Sequence, residues 1–457
     1  MVLAQECYSQ KEALTDIDFL LKRMIQIHPD LYRYQSEENY AALINATKES
    51  IQDSITYLEL FRAISPLIYE VKDLHTSLTH SKKFNDKRLP FVMIQLDGKN
   101  IIQYNASSDT TLLKGMELLE IDGKPIEEIK AFLRTNIGTD NGNVAAKQLY
   151  STKTLHAFYP KYYSLGDSVS ILVKKDSVFH YRLKTVSKKE FGAKIALRYP
   201  SKIRKNLRYT LLDSTLSLAK INITSFVSKG SPLDVFQLKF GRELKKNFKK
   251  IRKDNVQNLV LDVRGNGGGY IPNVAKLMKY VATEPFKLID TMGFKRSAYY
   301  KVFPINRIMP PLMAPFFFNK KDDVYRYRAN SNLPKRKPKA KAYNGNLYVF
   351  MDAASYSATA FSICLLEDMG HAKFIGDIPG GANWGSHAGS WYKVKLPSSK
   401  IQVRIPQYRI VHTRLHTLHN DFFVQPDIKV DYSLKDFNDN VDSYERVLKE
   451  HLKALRE

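Results

Sequence analysis

The sequence predicts an α/β protein of several domains: a helical cap at residues 8–84, a β-rich domain at 85–190, and an α/β core at 200–457. Three observations predict it. Apolar residues recur at helical spacing through DIDFLLKRMIQI and YLELFRAISPLIYEV near the start. Short β-like runs then alternate with turns. From about residue 200, apolar strand-like runs alternate with helical segments, the pattern of a sheet with crossover helices. A chain of 457 residues has room for all three.

In the cap, Pro29 and the polar stretch 36–38 separate helical segments that end near residue 72. The next domain holds the runs FVMIQL, NIIQYN, MELLEID, VSILVKK and FHYRLKTV. Within it, Asp122-Gly123 is a hairpin signal and a helix begins near Ile126. This stretch resembles a PDZ domain carrying a helical insertion at 133–165, which implies capture of an extended peptide by strand addition. Any small β-barrel with one hairpin fits the same pattern.

In the core, strands are expected at 216–223, 258–264 and 346–352, and KFIG is another. Helices are expected at 233–252, near 273–281, and at 357–369. The insertion 285–344 interrupts this order with MPPLMAPFFF and many Tyr, Arg and Lys residues. Loops of this length are usually functional or disordered. A lid, a dimer contact and a membrane-surface wedge are three readings of it.

The formal net charge is +25, from 71 Lys and Arg against 46 Asp and Glu. Such a charge invites polyanions, but the lysines are spread along the chain. The densest run, Lys335 to Lys341, sits among Pro and Asn as a solvated loop would. Zinc-finger spacing, an RNP motif and a basic zipper are all absent, so no specific nucleic-acid partner is expected. A basic, soluble surface accounts for the charge. No run of 18 apolar residues exists to span a bilayer. Leu3-Ala4-Gln5 reads as the stub of a removed export signal, which predicts a periplasmic or extracellular protein. The two cysteines, Cys7 and Cys364, are not expected to pair.

Three constellations carry chemistry. The first is Asp262-Val263-Arg264-Gly265-Asn266-Gly267-Gly268-Gly269, between a strand and a helix opened by Pro272 and Asn273. Glycines allow positive φ and close approach, and N–H groups beside a helix start hold a negative oxygen. A phosphate site would be an equal claim, although the loop lacks both the P-loop ending and the dinucleotide spacing. The second is Ser355-Tyr356-Ser357-Ala358, between strand and helix. There Ser357 is either a nucleophile presented on a sharp turn or a plain helix cap. The third is Asp73-Leu74-His75-Thr76, where His75 is either a base or a structural histidine. A further set, His412, His416 and His419, has spacing that would suit zinc on a helix, but a strand or loop is expected there and no metal is predicted.

Taken in order, D-x-H-T-x-L, D-V-R-G-N-G-G-G, S-x-S-A and E-D-M-G-H-A-K-F-I-G resemble the tail-specific, carboxyl-terminal-processing serine peptidases and the tricorn core protease. The resemblance spans about residues 12–445. It implies a ClpP/crotonase-like core and a polypeptide substrate cleaved through an acyl-enzyme without a cofactor, in a chain that can form a homo-oligomer. It also implies Ser357 as nucleophile, with backbone N–H groups of Ala358 and of Gly267 or Gly268 as the oxyanion hole. The lysine base of one branch falls on Ala382, so that dyad is absent; His75 matches the histidine base of the tricorn-like branch. No glutamate lies between Glu367 and Glu445, so the family's orienting glutamate is missing, and Asp421 is the substitute predicted from its position. The same family includes non-proteolytic binding repeats. A catalytically inactive protein that captures peptides or apolar ligands is therefore the alternative.

Overall fold

The computed structural model describes residues 6–80, 86–200, 206–227, 238–302, 311–329, 333–420 and 422–456. Leu3-Ala4-Gln5, the expected helix start at 233–237 and Asp421 lie outside the described residues. The chain forms two compact units. One comprises Met1–Ser201, Phe294–Pro310 and Gly389–Tyr408; the other comprises Lys202–Gly293, Pro311–Ala388 and Arg409–Glu457. The architecture is α/β, as the sequence predicts.

The first unit opens with helices Gln10–Ile27, Glu37–Glu49 and Tyr57–Tyr69. Ser9 with Glu12, and Thr56 with Glu59, form capping boxes that satisfy the free N–H groups of two of them. Strands follow in the spatial order Val178–Lys184, Ser168–Lys174, Glu117–Ile121, Lys99–Asn105, Phe91–Leu96, each antiparallel to its neighbour. Asp122 and Gly123 both take positive φ, and they turn Glu117–Ile121 onto Lys124–Pro125 as the dipeptide predicts. The helical insertion is present as Val144–Lys153 and Leu155–Tyr162, after the helix Ile126–Thr135. One apolar cluster joins these elements: Leu20, Met24, Phe61 and Ile64 of the helices pack with Met93, Leu118 and Ile171 of the sheet, and with Val403 and Ile405. Asp16, fully buried, accepts from Ser398 N and Ser399 N at 2.7 and 2.9 Å, tying the first helix to the turn at 397–400.

In the second unit the strand order is Leu207–Asp213, Leu218–Ile223, Asn258–Asp262, Asn346–Met351, Ala372–Gly376, Ile428–Lys429. The first pair is antiparallel and all later pairs are parallel. Asn258–Asp262 is buried along its whole length, which is why NLVLD reads as a continuous run rather than an alternation. Crossover helices Leu238–Lys253, Ile271–Val281 and Ala358–Asp368 join the strands. Arg264, just past its strand, donates to Asp262 and Asp442 and lies 4.3 Å over the Tyr444 ring, fixing the sheet to the helix Ser443–Ala454. Cys7 and Cys364 are not joined in a disulfide, and no described helix is long and apolar enough to cross a membrane.

Two histidines of the first unit are stored in neutral form. His80 stacks on Phe61, donates from Nε2 to the Lys161 carbonyl at 2.9 Å and accepts from the Tyr57 hydroxyl at Nδ1. Burial pushes it down to about 3, and burial with the nearby Arg88 pushes His156 down to about 4, from 6.5. Each is protonated in the unfolded chain below about pH 6.5 but not in the folded one. The unfolded state then binds more protons, and stability falls as pH drops from 6.5 toward the folded values. The expected slope is about 1.4 kcal/mol per pH unit for each histidine. Urea unfolding between pH 7 and 4 should show it, with a shallower slope for His80→Gln; an unchanged slope in the variant would remove His80 from the account.

Candidate active site

In open parallel sheets, ligands gather at the carboxyl ends of the strands. The first two constellations both lie there. Asp262 ends one strand and leads into the glycine loop; Met351 ends the next and leads into the serine turn.

Ser357 is the residue immediately before the helix Ala358–Asp368, with φ 56° and ψ −127°. That backbone is strained for any residue with a Cβ, at a cost of about 1–3 kcal/mol. An ordinary cap looks different. Ser9, Ser36 and Thr56 stand at φ −65° to −75° and accept a helix N–H, whereas Ser357 makes no side-chain cap bond. Ser355 is not the cap either: its hydroxyl donates to the Val263 carbonyl at 2.8 Å and accepts from Asp352 N.

The glycine loop is what allows the turn to close. Gly268 has φ 94°, and a Cβ there would stand 2.7 Å from Ala358 N and 2.9 Å from Ser357 Cβ. Gly381 meets the turn from another side, where a Cβ would reach 2.5 Å from Ala360 Cβ. Asn266, fully buried, ties the parts together. Its Nδ2 donates to the Ile223 carbonyl at 2.8 Å, and its Oδ1 accepts from Gly268 N at 2.9 Å. Its own carbonyl accepts from Tyr356 N and from the Thr359 hydroxyl. Asp352 adds a second tie by accepting from Gly265 N at 2.9 Å and Ala354 N at 3.1 Å. Gly268 N is engaged by Asn266 and is therefore not available to a bound ligand.

His75 stands in the first unit, after the helix Tyr57–Tyr69. Its backbone N–H donates to Asp73 Oδ1 at 3.0 Å, and its ring Nδ1 is 3.9 Å from the same oxygen. The ring stacks on Trp391, whose other close neighbour is the Arg404 guanidinium at 3.8 Å. Asp73 is buried and also accepts from the Thr76 hydroxyl at 2.6 Å. His28 supplies a further bond. Its Nδ1 accepts from Asp30 N, so Nε2 carries the proton and donates to Asp73 Oδ2 at 3.1 Å. Asp73, His75 and Asp140 each offer a ligand atom, all within 4.8 Å of one another. Asp73 already accepts three hydrogen bonds, and Asp140 holds Leu74 N at 3.0 Å, so the set serves as a cradle for the His75 turn.

The serine, Ala358, Gly267 and Gly268 are thus brought together in one unit, and His75 with Asp73 in the other. Asp421 lies outside the described residues. The three histidines near it do not assemble. His412 is buried in a strand and is held neutral, down to about 3, first by burial and then by Arg414. His416 pairs with Glu284, and His419 donates to the His412 carbonyl at 2.7 Å. Asn266, Asp352 and His28 were not singled out in the sequence. Asn266 could have been, as the one residue of G-N-G-G-G able both to donate and to accept through its side chain.

Comparison with known proteins bears on the family and the fold. Residues 217–430 match the model of peptidase family S41. No curated protein matches the chain. Among solved structures, mature CPAF complexed with lactacystin is similar at TM-score 0.69 and 14% identity, over 98% of each chain. Mature CPAF alone is similar at TM-score 0.66 and 14% identity, over 97% of this chain and 98% of that one. A protein from Parabacteroides merdae ATCC 43184 is similar at TM-score 0.50 and 14% identity, over 97% of both. At these identities the likeness is one of fold.

The glycine requirement is directly testable. Gly268→Ala adds a Cβ against Ala358 N at a positive φ, and is expected to cost about 2–5 kcal/mol. It should lower the melting temperature and abolish labelling by a fluorophosphonate probe. Gly265→Ala also has a positive φ, but its Cβ would meet nothing within 4 Å, so it should cost about 1–2 kcal/mol and keep labelling. Equal behaviour of the two variants would contradict the packing argument.

Proposed function

Residues 217–430 place the chain in peptidase family S41, as a serine-type peptidase, and we propose on that premise that Ser357 is its nucleophile and His75 its general base. The observation that carries this is the Ser357 backbone: a strained, uncapped serine at a helix start, held by a loop of glycines. Strain of that kind persists where the surrounding structure over-determines it, and it clusters at active sites.

The steps follow from the groups. His75 takes the hydroxyl proton as Ser357 Oγ bonds to the scissile carbonyl carbon. The carbonyl oxygen becomes an oxyanion and accepts from Ala358 N and Gly267 N, with the helix N-terminus adding favourable potential. Gly268 contributes close approach rather than a donor, since its N–H serves Asn266. The C–N bond then breaks, and His75 returns the proton to the leaving amine. Water, deprotonated by the same imidazole, releases the acid and restores the serine.

Asp73 is the carboxylate we assign to orienting His75. At 3.9 Å it is beyond hydrogen-bond length from Nδ1, and such contacts tighten in complexes. His28 in turn holds Asp73. The position-based candidate for the third member, Asp421, remains the competing assignment. The β-rich domain is read as PDZ-like, presenting a strand edge to an unstructured polypeptide end. A tail-specific substrate preference in an exported chain goes with that reading.

Fluorophosphonate labelling tests the centre. Wild type should label, and Ser357→Ala and His75→Ala should not. Asp73→Asn should slow labelling by about 10²–10⁴-fold, while Asp421→Asn changes it little; the reverse order would move the third member to Asp421. No labelling of wild type, with peptide binding retained, would favour the inactive binding protein. The position of the family's lysine on fully buried Ala382 is the observation behind that second reading.

A further inference from the structure

The insertion in the second unit builds an apolar projection. Leu312, Phe316 and Phe317 are 83%, 72% and 50% exposed, on a short turn of chain held from beneath by buried Ala314 and Phe318. The projection is braced. Arg328 N donates to the Phe317 carbonyl at 3.0 Å, and Arg328 Nε donates to the Pro315 carbonyl at 2.9 Å. The hairpin Phe318–Lys321 with Val324–Tyr327 continues directly from it, carrying exposed Lys320 and Lys321 beside exposed Asp322 and Asp323, with Arg326 and Arg328 following so that cations outnumber acids, and Tyr325 and Tyr327 pack against Phe318.

Exposed aromatic side chains fixed on a braced turn, and flanked by cations and tyrosines, have the composition of a segment that lies in a membrane interface. A second copy of the chain is a poor occupant. It would bring a like net charge of +25 on the whole chain, which opposes self-association. A nucleic-acid duplex, its bases already stacked, would leave Leu312 and the phenylalanines in water. We propose that this turn is a wedge that docks the peptidase on an anionic lipid bilayer, with Phe316, Phe317 and Leu312 entering the headgroup layer and Lys320, Lys321 and Arg328 meeting lipid phosphates. The wedge is independent of the Ser357 chemistry and stands or falls without it.

The test is co-sedimentation of the full chain with vesicles of phosphatidylcholine, alone or mixed with phosphatidylglycerol. Wild type should bind the mixed vesicles, weaken with salt, and leave the neutral vesicles unbound. Phe316→Ser with Phe317→Ser leaves the charge unchanged and should reduce binding at least tenfold. Lys320→Gln with Lys321→Gln should reduce it by about fivefold per lysine. Circular dichroism and the melting temperature of all forms should stay at the wild-type level, which shows that the variants fold. A control lies on the helix Leu238–Lys253, whose outer face carries exposed Lys245 and Lys249. Binding lost in Lys245→Glu with Lys249→Glu but retained in the phenylalanine variant would overturn the wedge in favour of a purely electrostatic surface. Absence of binding to any vesicle would overturn it outright. So would a dimer in sedimentation velocity that the phenylalanine variant dissolves, since the projection would then be a contact between copies.

Discussion

Everything at the serine turn depends on one buried amide. Asn266 touches the end of one strand, the middle of the glycine loop and, through its carbonyl, two positions of the serine turn. A buried polar group with all its bonds made rigidifies its surroundings, because each alternative geometry leaves a donor or acceptor unpaired at about 1–3 kcal/mol. That penalty is comparable with the strain in the Ser357 backbone, so the loop can hold the turn in a conformation the turn would not choose by itself. The glycines then have a narrow role. Gly268 removes a Cβ where two chains must nearly touch, and its N–H serves the amide rather than the substrate.

The same logic runs through the sheet. The glycine loop is aimed only if the strand before it is fixed. Arg264 does this from outside the loop by joining Asp262 to Asp442 and covering Tyr444. The fully buried strand Asn258–Asp262 does it from within. On the histidine side, Asp73 has a corresponding place: it accepts from His28, Thr76 and the His75 backbone, so the carboxylate is positioned before the imidazole is.

Much of this was legible in the sequence, and what was not has identifiable causes. Strand and helix order in the core followed from apolar runs and glycine punctuation, and the Asp122-Gly123 hairpin from the φ those residues tolerate. The expected helix at 357–369 begins one residue later, because Ser357 is held out of helical geometry by the loop facing it. No local pattern reports that. The apolar cluster that joins the helical cap to the β-rich sheet was likewise invisible, since periodicity tells which face is buried but not against what. Asp421 was predicted from its position along the chain and lies outside the described residues; the closeness of Asp73 to His75 was not legible, because a carboxylate two residues from a histidine faces it only when the intervening turn is tight. Asp140, distant in sequence, holds that turn through Leu74 N.

The strained serine also bears on how such a chain can change over generations. A residue at φ 56° is one that glycine would occupy with less distortion. Replacing Ser357 by glycine would therefore relieve that strain and, on the proposed assignment, remove the nucleophile in a single step, with no change to the sheet or the glycine loop. A nucleophile in such a backbone is kept at a cost in stability, and its loss to glycine would leave a sturdier fold without the proposed chemistry.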